Sequence, residues 1–230
     1  MGGLFNLDNP IWSFMGKVAD LILLNLMVVV CSLPIFTIGA SWTALYFVTI
    51  RMARNEESYI VKDFLRSFRD NFKQATIIWM FALVAIVVFV GDILIYRMMP
   101  GAIPEPLMVA VMAVAFLVLC TIIYVFPVLS RFQNTIKGTL KNAFLISLVN
   151  IPYTIAFVVL AIIPIIALIF VYQLAPLIII VGISLPAYLA SFLWVRIFRK
   201  FEPKGETTTE ISNLGDGDEI GEEKEIGEEI

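Results

Sequence analysis

The sequence predicts an all-α fold: a polytopic helical membrane protein with about six transmembrane helices and two cytoplasmic amphipathic helices. Three observations predict it. The 230 residues are 60% hydrophobic and only 15% charged, with a mean hydropathy of +0.93, whereas a soluble domain is nearer half apolar and a quarter charged. Too few polar groups remain to cover a water-facing surface, so lipid must be the solvent for much of the chain. The apolar residues also come in continuous runs of about 20, the length of a membrane-crossing helix, rather than the short alternating segments of barrel strands. Finally, the charges are segregated between those runs.

The N-terminus, "MGGLFNLDNPIWSF", lacks the basic n-region and small-residue cleavage site of a signal peptide. Asn6 also breaks the myristoylation pattern, which needs Ser or Thr there. Membrane insertion is therefore expected from the first retained span. From Val18 to Arg51 the chain is apolar, and one helix over that stretch would run about 50 Å, too long for a single crossing without extreme tilt. Pro34 removes a backbone donor, and Gly39 permits backbone angles other residues resist. Two spans, about 18–33 and 39–51, joined by a turn from Pro34 through Thr37 to Ile38, fit the length better. The second arm is short, so a re-entrant hairpin is the alternative, and charge does not separate the two.

Four further runs are clear, at 76–96, 107–128, 151–172 and 177–197. Six spans with the N-terminus in the cytoplasm place 15 of the 16 basic residues inside and leave Arg97 alone outside, as the positive-inside rule requires. Between spans, "IVKDFLRSFRDNFK" at 60–73 sets Ile60, Phe64, Phe68 and Phe72 on one helical stripe, with Lys62, Arg66, Arg69 and Lys73 off it. Residues 132–144 repeat the stripe with Phe132, Ile136, Leu140 and Phe144. Both read as amphipathic helices lying in the membrane interface. Their similar joins, "FKQAT" and "LKNAF", fit either a duplicated span-amphipath-span unit or the common form of a cytoplasmic helix meeting a bilayer.

The membrane domain is read as 1–201, followed by a tail, 202–230, that holds 11 of the 19 acids against only two bases. Its charge and glycine content predict a disordered cytoplasmic segment. Cys31 and Cys120 sit inside apolar runs and read as small hydrophobes rather than a disulfide.

Polar residues and helix breakers inside spans are the candidate functional positions, because burying them is costly. They are Asp20 and Asn25 in the first span, Pro34, Thr37 and Gly39 in the turn, Asp92 in the third span, and Asn150 with Pro152 at the start of the fifth. Gln173, ending the fifth span, is a further polar position. Asp20 and Asp92 fall near predicted boundaries, where headgroups or water reach them. Asn25 lies deepest, and interhelical hydrogen bonding is its expected role. With no histidine, no nucleophile beside a base, no paired carboxylates in one span and no phosphate-binding loop, no enzyme, metal or cofactor is expected. Topology and anionic lipid account for the basic loops, so no nucleic-acid partner is expected.

"FNLDNPIWSF", "LILLNLMVVVCSLPIFTIGASWTALYFV" and "NFKQATIIW" resemble the YesL-like family of bacterial membrane proteins, DUF624, a domain of unknown function. The likeness covers about residues 5–200, and Asn25 followed by "LPIFTIG" and "ALY" is its most specific part. The resemblance implies a multi-pass plasma-membrane protein, often encoded beside carbohydrate uptake and degradation systems, and carries no catalytic residues. Its implied partners are the lipid bilayer and a carbohydrate ABC transporter component or another membrane protein. Two functions follow as expectations: a non-enzymatic accessory or assembly partner in carbohydrate uptake, or a transporter or permease subunit for a small solute such as a saccharide. The second predicts a polar midplane cavity lined by Asn25.

Overall fold

The computed structural model describes residues 10–56, 59–98, 104–132, 134–170 and 181–201. Gln173 and the tail from 202 lie outside the described residues, so the reading of that tail as disordered does too. Every regular element described is helical: α1 (Pro10–Cys31), a 3-10 turn (Ile35–Thr37), α2 (Ile38–Ala53), α3 (Ile60–Met98), α4 (Glu105–Arg131), α5 (Ile136–Val149), α6 (Ile151–Phe170) and α7 (Ser184–Phe198). The chain divides into two compact units, Met1–Val195 and Arg196–Ile230. In the second, the described residues close a C-terminal turn, with the Phe201 N–H donating to the Phe198 carbonyl at 2.8 Å.

The break at Pro34 separates two helices, as their lengths predict. Pro34 holds extended angles (φ −74°, ψ 123°) before the 3-10 turn; its ring fixes φ near that value, and its missing N–H cannot continue α1. The other end of α2 closes with a Schellman turn. Asn55 takes a left-handed φ of 55°, and the N–H groups of Asn55 and Glu56 donate to the Met52 and Arg51 carbonyls, each at 3.1 Å. Asparagine is one of the few side chains that accept that backbone conformation.

Two expectations need correction here. The interfacial helix at 60–73 and the span at 76–96 are one continuous 39-residue helix, about 58 Å long. No proline or interior break separates the two segments, so the backbone ladder runs straight through "FKQAT". Its aromatic stripe also faces protein, not lipid. Phe64 is 0% exposed and packs with Ile60 among Leu21, Leu24, Leu45, Val48 and Met52 from α1 and α2. Phe68 and Phe72 continue the stripe as a ring ladder, with centroids 6.3 and 5.5 Å apart along the series.

The second loop differs from the first. Phe132 ends α4 in an extended conformation, and α5 starts from a Thr135 cap that accepts the Gly138 N–H at 3.3 Å. The buried face of α5 is Thr139, Ala143, Ile146 and Ser147, while Phe144 from the expected stripe is exposed. Small residues permit close helix contact, and Phe132, Ile136 and Leu140 are left half-buried beside them. At Asn150 the chain then bends by 99° into α6. Both joins, "FKQAT" and "LKNAF", lie inside continuous helices; the two segments differ in that α3 runs on straight into its apolar half while α5 ends at the Asn150 elbow.

Three stretches, Ile35–Ala53, Ile60–Met98 and Glu105–Arg131, are long and apolar enough to cross a membrane among the described residues, or four if the bent pair α5–α6 counts as one. The described residues thus show three or four candidate spans and do not confirm the expected six. The last predicted span, 177–197, contributes only the shorter α7 to the described residues. The stripe predicts its own test. Phe64→Ala should lower stability in detergent by about 3–5 kcal/mol, and Phe72→Ala, half-buried, by much less. Thermal unfolding followed by circular dichroism reads the difference, whereas a lipid-facing stripe would make the two alike.

Candidate functional site

The turn between α1 and α2 is where the chain's most distinctive residues meet. The Thr37 hydroxyl lies 2.6 Å from the Cys31 carbonyl and 2.7 Å from the Pro34 carbonyl. It thereby satisfies acceptors that the end of α1 leaves open. From α3, the Trp79 indole N–H donates to the Ile35 carbonyl at 2.8 Å. Gly39 lets the helices close on this point. A Cβ there would stand 2.7 Å from the Ala75 carbonyl oxygen, 2.7 Å from Trp79 Cβ and 3.0 Å from a Phe126 ring carbon. The glycine is thus required by the approach of α3 and α4, not by its own backbone angles.

A second cluster closes the far end of α2. Arg51 Nη1 donates to Asp63 Oδ2 at 2.9 Å, and the same oxygen accepts the Tyr59 N–H at 3.1 Å. Asp63 therefore both pairs with α2 and serves the N-terminal turn of α3, where an acidic group is favoured. Glu56 lies 3.5 Å from Arg51 and 4.0 Å from Arg54. With Ser130, Arg131, Phe47 and Ile50, the two arginines surround a cavity of only about 10 Å³, room for one water. The cluster joins helices and has no space for a phosphate.

Asn25 is 2% exposed, and its Oδ1 accepts the N–H groups of Ile183 and Ser184, each at 3.1 Å. It caps α7 from across the fold, satisfying donors that a helix start leaves unpaired. The expected interhelical hydrogen bond is present, but its partner is backbone rather than another side chain. Two turns along, Ser191 donates from α7 to the Thr49 hydroxyl on α2 at 2.8 Å.

Asn150 forms the elbow. Its Nδ2 donates to the Ile146 carbonyl at 2.9 Å, closing α5. Its own carbonyl accepts the Tyr124 hydroxyl from α4 at 3.2 Å, and Thr154 donates to that same phenol oxygen at 3.0 Å. Pro152 then falls in the first turn of α6, where a missing N–H costs nothing. Around the elbow, Phe157 stacks on Trp194 (centroids 4.3 Å) and Tyr124 meets that indole edge-on at 4.7 Å.

The other candidates stand apart. Asp20 is half-buried and lines a shallow groove of about 510 Å³ with Leu23, Tyr59, Ile60, Val61 and Lys62. Asp92 lies on α3, about 20 Å along the helix beyond Trp79. Cys31 and Cys120 are free thiols.

Residues 21–93 match the family described as a protein of unknown function, DUF624. The chain carries a DUF624 segment over those residues. No curated protein and no solved structure matches it. The DUF624 stretch holds the Pro34–Gly39 turn, Asn25, the Arg51–Asp63 pair and Trp79, several of which lock α1, α2 and α3 together. The elbow at Asn150 and the capped start of α7 lie beyond it. Sequence reading overlooked Trp79, Asp63, Tyr124 and Thr154. Asp63 offered a sign, as a single acid in the first turn of an otherwise basic helix; the others offered none.

Two outcomes test the DUF624 locks. Gly39→Ala should destabilise by about 1–3 kcal/mol, while Gly91→Ala, with nothing within 4 Å of its would-be Cβ, should be neutral or stabilising by up to about 1 kcal/mol. Melting temperatures in one detergent compare them. Asn25→Ala should cost about 1 kcal/mol and speed hydrogen exchange at the Ile183 and Ser184 amides while leaving the amides of α4 unchanged.

Proposed function

We propose that this DUF624 chain is a non-enzymatic, multi-pass protein of the bacterial plasma membrane that serves carbohydrate uptake as an accessory or assembly partner. Both termini lie in the cytoplasm in this reading, which asks for an even number of crossings. The observation that carries it is how the polar groups among the apolar helices are used. Asn25 caps α7, Ser191 bonds Thr49, and Tyr124, Asn150 and Thr154 bond one another. These groups join helix to helix. In lipid, where apolar burial does not drive helices together, such bonds and close packing supply the association.

The transporter reading expects a polar midplane cavity lined by Asn25, and the Asn25 oxygen is instead taken up by two backbone donors. Among the described residues, the outer face of α3 exposes Lys62, Arg66 (3.9 Å from Asp70) and Arg69 to a partner. The association with carbohydrate uptake rests on the family resemblance, and the partner it suggests is a component of a carbohydrate ABC transporter.

The test is purification of the tagged full chain from its native membranes in mild detergent, followed by mass spectrometry. A transporter component should co-purify and be lost when Lys62, Arg66 and Arg69 are changed to Glu. Recovery of the chain alone would overturn the proposal, and saccharide uptake by the purified chain in liposomes would favour the permease reading.

A further inference from the structure

The opening hairpin stands at an unexpected height against its neighbour. α2 runs antiparallel to α3, with Arg51 bonded to Asp63 at one end and Gly39 wedged against Ala75 and Trp79 at the other. The turn itself is tied to Trp79 through the Ile35 carbonyl. The hairpin therefore lies beside the first half of α3, the half that exposes Lys62, Arg66, Arg69 and Lys73. Beyond Trp79, α3 continues to Met98, a further rise of about 28 Å, close to a full hydrocarbon thickness. Phe81, Val84, Val87, Val88 and Leu94 on that half are all exposed, as lipid-facing residues are.

α3 does not fit wholly within the hydrocarbon. Its length of about 58 Å would need a tilt near 60°, beyond the roughly 0–40° of spanning helices. Its basic half would also meet lipid. The membrane surface therefore falls where the exposed charges stop, near Lys73. A separate observation puts it at the same height. α5 turns 99° from the apolar α6, so it runs near the membrane plane if α6 crosses. Its N-terminal end is held by Gln74, which donates to the Asn134 carbonyl at 2.9 Å and to Thr139 Oγ1 at 3.1 Å.

With the surface at Lys73–Gln74, a turn that reaches only Trp79 enters the bilayer by about 5–10 Å, the depth of an interfacial element. The turn's outer side is apolar: Leu33 is 75%, Ile35 67% and Phe36 49% exposed. We infer that the α1–α2 hairpin does not cross the membrane. Its turn dips into the leaflet on the side of α3's basic half, with Leu33, Ile35 and Phe36 seated at the headgroup–acyl boundary. The bound partner of this surface is the lipid of that one leaflet. Among the described helices, α3 and α4 are then left to cross, whereas α7, bonded to Asn25 and Thr49, stands beside the hairpin.

Single cysteines in a Cys31→Ser/Cys120→Ser background test this in oriented membranes. Ala102→Cys, in the α3–α4 connection, and Lys62→Cys serve as markers for the two sides. Phe36→Cys and Leu33→Cys are probed with an impermeant maleimide, then with an environment-sensitive fluorophore and headgroup-spin-labelled phosphatidylcholine. The expected result is loss of all labelling from the Ala102 side, with strong quenching by the shallow spin label. Labelling of either position together with Ala102→Cys would overturn the inference, because the hairpin would then cross. Absence of quenching would overturn the lipid contact. Each variant is first shown to elute as a single species in detergent, and two adjacent exposed positions guard against one that does not fold.

Discussion

The packing of α2 along the basic half of α3 is the constraint on which the rest of this structure depends. It is fastened at two ends by different physics. At one end a missing side chain at Gly39 lets backbone meet backbone, with the Ala75 carbonyl where a Cβ would have to stand. At the other, a mostly buried ion pair joins Arg51 to Asp63. Removing a partner from such a pair leaves an uncompensated charge, which makes it a strong registration device whatever its net contribution to stability. Between the two ends, Phe64 and Val48 fill the seam. Once α2 is set, the places of α1, α4 and α7 follow from contacts to it.

The polar residues within the apolar helices do related work. Asn25, Thr37, Thr49, Tyr124, Asn150 and Thr154 each meet a backbone or hydroxyl group of the protein. Several of these bonds satisfy helix ends that the fold has interrupted: the end of α1 at Cys31, the end of α5 at Ile146, and the start of α7 at Ser184. A chain broken into short helices in an apolar medium leaves many such ends, and each unsatisfied group costs several kcal/mol. The clustering of polar residues around breaks thus has a structural cause. It also explains why these candidate positions do not converge on one pocket.

Much of this was legible in the residues. The apolar runs marked α4 and α6 to within a few positions, and Pro34 marked the break between α1 and α2. Asn25 was expected to bond another helix, which it does, although only the fold shows that the acceptor serves the first turn of α7. The aromatic stripe at 60–73 was read correctly as one face of a helix and wrongly as a lipid-facing one. Periodicity reports that a face is apolar, not what covers it. The same limit applies to α5, whose fully buried residues are Thr139, Ala143, Ile146 and Ser147 while its stripe is half-buried or exposed.

The sequence by itself determined that this chain is helical and lipid-solvated, where its helices break, and which residues make the α1–α2 turn. Those properties depend on local backbone chemistry and on composition, which neighbours along the chain carry. Tertiary structure alone decided the height at which the hairpin stands beside α3 and what packs around the elbow at Asn150. Each depends on contacts between residues far apart in sequence: Ile35 with Trp79, Gly39 with Phe126, Asn25 with Ser184, Gln74 with Thr139. No pattern within one segment encodes a partner that another segment supplies.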